Sequence, residues 1–124
     1  MTNRRALVAV IDDDQSVRES LPDLLAELGF TARTFSSAEE FLASPDFSGT
    51  ECVILDVAMP GMSGPDLRRE LKSRRPQLPV IFITARTDEK LRLQLLEQHA
   101  VACLFKPFSD TDLLAALRAA VPDR

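Results

Sequence analysis

Short apolar runs alternate with helical patterns along the chain, and this alternation restricts the possible folds more than any other feature. Four runs, ALVAVI, CVIL, VIFIT and VACLF, are apolar at nearly every position. Strands of this kind suit a parallel sheet that is covered on both faces. The run TARTF mixes polar and apolar residues, as an edge strand does. The sequence therefore predicts five strands, an edge strand at residues 31–35 and buried strands at residues 6–11, 52–55, 80–84 and 101–105.

A helical pattern follows each predicted strand. The segment SVRESLPDLLAELGF carries leucines at helical spacing and ends at Gly29, which suits the left-handed conformation after a helix. Ser37 and Glu40 have capping-box spacing before the second helix, and Pro65 suits the first position of the third. The segments TDEKLRLQLLEQ and SDTDLLAALRAAV complete the set. Strand and helix alternate five times, which predicts an α/β protein with a three-layer, doubly wound (βα)5 fold and a five-stranded parallel sheet.

Polar side chains follow the carboxyl ends of these strands, where doubly wound folds place their chemistry. Because neighbouring carboxylates resist ionising together, the acids after the first strand need a compensating positive charge. Several carboxylates, a hydroxyl and an ammonium group are expected at the same edge. The residues are Asp12, Asp13 and Asp14 after the first strand, Asp56 after the third, Thr84 at the end of the fourth and Lys106 after the fifth.

Composition excludes several classes of protein. A chain of 124 residues with 45% hydrophobic residues is long enough for one domain with one core. A net charge of -4 argues against a nucleic-acid-binding surface. Apolar runs are too short for a membrane span or a signal peptide, so we expect a cytoplasmic protein without membrane contact. Cys52 and Cys103 lie in predicted strands without metal-ligand spacing, and we expect them to remain reduced.

Four motifs, VIDDD, LDVAMPGMSG, FITA and FKPF, occur in this order at the ends of four predicted strands. Together they resemble the receiver domain of two-component response regulators, in a single domain spanning residues 1–124 with a core of about residues 5–121. The stretch RTFSSAEEFLAS is further similar to receivers attached to LuxR-type DNA-binding domains, as in nitrogen-fixation regulators. The resemblance implies a flavodoxin-like sheet with strand order 2-1-3-4-5.

The acidic residues suit a magnesium site, because Mg²⁺ prefers oxygen ligands and is held by one or two carboxylates and water. Asp13 and Asp56 are the expected direct ligands. The resemblance implies that Asp12 acts through a bound water and that the backbone carbonyl of Ala58 completes the protein ligands. Mn²⁺ is an alternative ion. Asp14 is expected to serve the start of the first helix instead.

The resemblance also assigns roles in phosphoryl transfer. Asp56 is implied to be the phosphoacceptor, whose carboxylate attacks the phosphorus of a phosphohistidine to give an acyl phosphate. Lys106 is implied to bind a phosphoryl oxygen and to form a cis peptide bond with Pro107. Thr84 is implied to move its hydroxyl toward the new phosphoryl group and to report its presence outward.

The switch region departs from the family pattern. Cys103 stands where the family has a switch aromatic, three positions before Lys106. Cys103 and Phe105 alternate onto the same face of the fifth strand. One hypothesis is therefore that Phe105 takes over the role of the aromatic residue next to the fourth helix.

Three further positions bear on geometry and phosphoryl lifetime. His99 stands where the family commonly has a glycine after the fourth helix, and we interpret it as a residue at a surface helix end. Ala58 and Arg86 occupy the positions expected to tune water access to the phosphoryl group. Their chemistry predicts a changed lifetime without fixing the direction of the change.

The leading interpretation is a phosphoacceptor switch, not a metabolic enzyme, whose partner is a sensor histidine kinase. Phosphorylation would alter the face formed by the fourth helix, fifth strand and fifth helix, and hence contact with an output domain, a regulated protein or a second copy in a homodimer. Transcriptional regulation is the expected outcome.

Two other classes remain open. A pseudo-receiver binding module would lack an acid, the threonine or the lysine, and here each is present. A phosphohydrolase of the haloacid dehalogenase type usually has a second aspartate two residues after the nucleophile, where this chain has Ala58. An FMN-binding flavodoxin is disfavoured because the first loop is acidic, whereas a flavin phosphate needs neutral or positive donors.

Overall fold

A computed structural model of the chain describes residues 5–85, 89–97 and 100–122. Within these ranges, five strands alternate with five α-helices, as predicted. The strands are β1 (Leu7–Ile11), β2 (Thr31–Phe35), β3 (Cys52–Asp56), β4 (Val80–Thr84) and β5 (Ala102–Phe105). The helices are α1 (Gln15–Glu27), α2 (Ala38–Leu42), α3 (Gly64–Arg74), α4 (Glu89–Glu97) and α5 (Asp110–Ala120).

The strands form one parallel sheet in the order β2-β1-β3-β4-β5. The predicted flavodoxin-like order is therefore confirmed, and the polar run 31–35 is an edge strand. The order reverses between β1 and β3, whose carboxyl ends are neighbours. Ligand sites of doubly wound sheets lie at such a reversal point, so Asp12 and Asp56 are placed where chemistry is expected.

Two apolar clusters cover the two faces of the sheet and make the three layers. On one face, Leu25 of α1 and Leu113 of α5 pack against strand residues such as Val10. On the other face, α2, α3 and α4 contribute buried side chains, including Phe41 of α2 and Leu67 of α3. Because both faces are covered, β3 and β4 are buried along their whole length, which explains their continuous apolar sequences.

The observed ends of the helices mostly agree with the start and stop signals in the sequence. Helix α1 ends at Glu27, and Gly29 follows with a positive φ of 96°. The prediction that Pro65 opens α3 was one residue late, because α3 begins at Gly64 behind the cap residue Ser63. A short 3-10 helix, Pro45–Gly49, was not predicted.

The two cysteines are buried on opposite faces of the sheet, Cys52 against α1 and α5 and Cys103 against α4. This placement agrees with the expectation that they do not pair. Burial raises the pKa of the Cys52 thiol to about 12, so it stays protonated at neutral pH. His99 and Arg86, which are interpreted above from the sequence, lie outside the described residues.

Candidate functional site

The carboxyl ends of β1, β3, β4 and β5 surround one open cavity of about 510 Å³. The acids, the hydroxyl and the ammonium group that sequence analysis singled out all line it. The structure therefore brings together residues that are more than ninety positions apart in the chain, such as Asp12 and Lys106. The cavity lining includes Asp12, Asp13, Asp14, Asp56, Ala58, Ser63, Thr84 and Lys106.

Asp12 is the most deeply buried acid at the site, with 0% of its surface exposed. Its backbone N–H donates to the carbonyl of Phe35 in β2 at 3.1 Å. Its Oδ1 accepts a hydrogen bond from the backbone N–H of Asp14 at 2.9 Å, and its Oδ2 accepts one from Nζ of Lys106 at 2.9 Å. A buried carboxylate needs hydrogen bonds and an opposite charge, and Asp12 has both.

Asp14 has a separate role at the start of α1. Its carboxylate accepts hydrogen bonds from the backbone N–H and the hydroxyl of Ser16, at 2.9 and 2.8 Å. These bonds, the hydroxyl first, lower the pKa of Asp14. Asp14 is thus the cap residue of α1, as expected from the sequence.

Asp12, Asp13 and Asp56 form a cluster that can hold a cation. One carboxylate oxygen from each lies within 4.8 Å of the other two. Asp12 and Asp56 are buried, whereas Asp13 is exposed at the cavity. A donor set made only of oxygen fits a hard divalent cation such as Mg²⁺, whereas zinc sites are usually built with histidine or cysteine. The residues present therefore fit magnesium.

Asp56 is the last residue of β3, and 7% of its surface is exposed. Burial raises the pKa of Asp56 to about 6, and the negative charge of Asp12 acts in the same direction, while Lys106 opposes both. Nζ of Lys106 lies 3.7 Å from Oδ1 of Asp56. A cation at the cluster would favour the ionised form of Asp56, because an opposite charge nearby lowers the pKa of an acid.

Lys106 is held in the site by its main chain and its side chain. Its backbone N–H donates to the carbonyl of Thr84 at 2.7 Å, and the Lys106–Pro107 peptide bond is cis. Burial by itself would lower the pKa of Lys106, but the hydrogen bond to Asp12 and the negative charge of Asp56 outweigh burial and raise it. Lys106 is therefore a cation at neutral pH.

The loop between β3 and α3 approaches the site closely at Gly64. A Cβ at this position would lie 2.4 Å from the backbone oxygen of Asp56 and 3.0 Å from Cα of Val57. The N–H of Gly64 donates to the carbonyl of Val57 at 3.1 Å. The sequence does not predict this contact, because a close approach between backbone segments leaves no spacing signal other than glycine itself.

A reciprocal capping box fixes the end of the same loop. The Ser63 side chain accepts from the N–H of Asp66, and the Asp66 side chain accepts from the N–H of Ser63. This capping box was not predicted, although the spacing from Ser63 to Asp66 is a usable sequence signal for it. The turn is also held from α2, because the carboxylate of Glu39 accepts a hydrogen bond from the N–H of Met62 at 3.2 Å.

Thr84, Cys103 and Phe105 lie along β4 and β5. Thr84 is 3% exposed at the end of β4 and lies opposite Phe105 in the parallel register. Cys103 is buried with α4 residue Leu95 in the same apolar cluster, whereas Phe105 is only partly buried. Phe105, the aromatic residue paired with Thr84, therefore lies two residues closer than Cys103 to the carboxyl end of β5.

The family model for the response regulator receiver domain matches residues 8–118 of the chain. The response regulator protein TodT of Pseudomonas putida is 40% identical over 121 residues, which cover 98% of this chain and 53% of TodT. The transcriptional regulatory protein FixJ of Azorhizobium caulinodans is 40% identical over 114 residues, which cover 92% of this chain and 54% of FixJ. The chain thus spans about half the length of these curated relatives.

Solved structures agree with the sequence comparisons. The crystal structure of a response regulator receiver domain protein from Clostridium thermocellum aligns with a TM-score of 0.86 at 30% identity, covering 94% of both chains.

Among the described residues, no helix combines the length and the apolar character that crossing a membrane requires.

Proposed function

The chain belongs to the response regulator receiver domain family, whose members are signalling proteins, and from this we propose that it is the phosphoacceptor switch of a two-component system. Asp56 accepts a phosphoryl group from a sensor histidine kinase in a reaction that requires Mg²⁺, with Mn²⁺ as an alternative ion. Residues 1–124 would form a single receiver domain with a core of about residues 5–121. A cytoplasmic location is part of the same proposal.

One observation carries the proposal more than any other. A carboxylate at a strand end lies beside two further acids and a lysine in an open cavity, with 3.7 Å between Lys106 Nζ and Asp56 Oδ1. A carboxylate nucleophile, a cation site and a fixed ammonium are the groups that phosphoryl transfer needs, because its catalysis consists mainly of positioning and charge stabilisation.

Different residues of the site would bind the metal ion and the phosphoryl group. Asp13 and Asp56 would bind Mg²⁺ directly, Asp12 would bind it through water, and the backbone carbonyl of Ala58 would complete the protein ligands. The bound Mg²⁺ supplies positive charge that offsets the negative charge of the nucleophile and of the phosphoryl oxygens. Lys106 binds one of the phosphoryl oxygens through its ammonium.

The covalent step joins an Asp56 carboxylate oxygen to phosphorus. The phosphorus–nitrogen bond of the phosphohistidine breaks, and the electron pair leaves with the imidazole. Asp56 must be ionised to attack, so the positive charges around it favour the reactive form. The domain promotes only its own phosphorylation and the later hydrolysis of the acyl phosphate.

Thr84 would couple phosphorylation of Asp56 to a structural change elsewhere in the domain. A phosphoryl group adds about 1.5 to 2 negative charges and three acceptor oxygens, which draw the Thr84 hydroxyl inward. Phe105 and Cys103 then respond on β5, and the face formed by α4, β5 and α5 changes. This change alters contact with an output domain or regulated protein, or drives a phosphorylation-dependent homodimer, in the control of transcription. The domain itself would not contact DNA, which agrees with its net charge of -4.

Mass spectrometry of the intact chain tests the proposal. We expect incubation with Mg²⁺ and a small acyl-phosphate donor to add one phosphate-sized increment to the natural chain and to Asp23→Asn, a control at an exposed acid of α1. Asp56→Asn should gain none. An undiminished increment in Asp56→Asn would refute Asp56 as the acceptor, and a natural chain that gains no increment from any donor would support a pseudo-receiver instead.

A further inference from the structure

Arg18 reaches from the first turns of α1 back to the loop that carries the acids. Its Nη1 donates a hydrogen bond to the backbone carbonyl of Asp12 at 2.8 Å, in a partly buried setting. We infer that Arg18 is a positioning residue for the proposed cation site, which fixes the main chain of Asp12 and thereby the direction of its carboxylate. The inference rests on the proposed function, because it assumes that the carboxylate of Asp12 serves a cation.

Arg18 completes the hydrogen bonding of Asp12. The N–H of Asp12 is bound to Phe35, and its two carboxylate oxygens are bound to Asp14 and Lys106. The carbonyl is bound to Arg18. β1 ends one residue earlier, at Ile11, so Asp12 lies beyond the strand and its conformation depends on these contacts. A bond from a charged donor is among the stronger of such contacts.

Arg18 and Lys106 bind different ends of Asp12. Lys106 binds the carboxylate oxygen that a cation would also attract, whereas Arg18 binds the carbonyl at the other end of the residue. As a positive charge alone, Arg18 would repel Mg²⁺, and its removal would tighten Mg²⁺ binding. As a positioning residue, Arg18 supports the site, and its removal weakens binding. The two roles therefore predict opposite signs for the same substitution.

Calorimetric titration of the metal-free chain with Mg²⁺ separates these roles. We expect Arg18→Met to raise the Kd for Mg²⁺ about tenfold, at the lower end of the effect of residues that orient metal ligands. Arg18→Lys keeps the charge and one donor and should recover most of the affinity. Hydrogen exchange of the Asp14 amide, which is bound to Asp12, should be faster in Arg18→Met without any metal, and this readout is independent of phosphoryl transfer.

Arg5→Met is the matched control. Arg5 also donates to a backbone carbonyl, that of Ala26 at 3.1 Å, but at the opposite end of α1. It should leave the Kd for Mg²⁺ and the Asp14 exchange rate unchanged. Unchanged or tighter Mg²⁺ binding in Arg18→Met, or equal weakening in Arg5→Met, would overturn the inference while leaving the proposed function intact. A natural chain that binds no Mg²⁺ would overturn both.

Discussion

Nζ of Lys106 lies 2.9 Å from Oδ2 of Asp12 but 3.7 Å from Oδ1 of Asp56. The ammonium group thus lies closer to the fully buried acid than to the proposed phosphoacceptor, whose pKa is raised by burial and by the charge of Asp12. In the proposed function, Lys106 and a divalent cation would compete for the same cluster of carboxylates when no phosphoryl group is bound. With a phosphoryl group present, both cations have a further set of anionic oxygens to bind.

Substitution of Lys106 should separate metal binding from phosphoryl transfer. We expect Lys106→Met to tighten Mg²⁺ binding about tenfold, because it removes a positive charge near the cation, and to lower the phosphorylation rate, because a phosphoryl oxygen loses its ammonium partner. Titration calorimetry and phosphorylation time courses measure the two effects. Lys72→Met, at an exposed position of α3, is the control. Weaker Mg²⁺ binding in Lys106→Met would contradict the competition.

The raised pKa of Asp56 predicts that this residue destabilises the metal-free protein above pH 6. Between the ordinary pKa of 3.8 and about 6, the folded state binds more protons at Asp56 than the unfolded state does. Stability should therefore fall as the pH rises through this window. We expect Asp56→Asn to be about 2 kcal/mol more stable than the natural chain at pH 8, after screening by water in the open cavity, and the difference should shrink toward zero near pH 4.

Urea unfolding in the presence of a chelator at both pH values measures this difference. Asp23→Asn, at an exposed acid of α1, is the control variant. A difference between Asp56→Asn and the natural chain that is equal at pH 4 and pH 8 would show that the pKa of Asp56 is not raised.

Gly64 should be sensitive to the addition of a single methyl group. In Gly64→Ala, the new Cβ would meet the backbone oxygen of Asp56 at 2.4 Å, so the backbone must shift. We expect a loss of about 1–3 kcal/mol in the free energy of unfolding together with slower phosphorylation, because the shift moves the acceptor itself. Gly49→Ala is the matched control, since its Cβ would find only Leu7 Cδ2, at 3.9 Å. Equal losses in the two variants would refute the close contact.

Phe105 should report phosphorylation if it replaces the missing switch aromatic. A metal-fluoride mimic of the phosphoryl group should shift the ring resonances of Phe105 in NMR spectra, because Phe105 lies opposite Thr84 in the β4–β5 register. Phe41, a fully buried residue of α2, should shift much less. Unchanged Phe105 resonances in the presence of bound mimic would exclude it from the switch.

The sequence predicts the scaffold and the members of the site well, for physical reasons. Continuous apolar runs can only be buried strands or short buried helices, and the polar residue that ends each run is carried to one rim by the parallel topology. Asp56, Thr84 and Lys106 could therefore be named before any coordinate was known. Their grouping depends on strand order, which the family motifs supplied.

Contacts that depend on side-chain direction could not be predicted. Three contacts depend on side-chain rotamers and on the paths of loops. They are the closer approach of Lys106 to Asp12 than to Asp56, the bond from Arg18 to the Asp12 carbonyl and the bond from the N–H of Met62 to Glu39. None of these has a sequence period. The contact of Gly64 with the Asp56 backbone is similar, because only the absence of a side chain marks it.

Locating the phosphoryl group on the chain tests the central claim most directly. After incubation with Mg²⁺ and an acyl-phosphate donor, borohydride reduction converts a phosphorylated aspartate to homoserine, which tandem mass spectrometry of peptides identifies. We predict homoserine at position 56 alone, and almost none when the metal is chelated. Phosphate found instead at Asp12, Asp13 or Ser63, or homoserine at position 56 at the same yield without metal, would contradict the account.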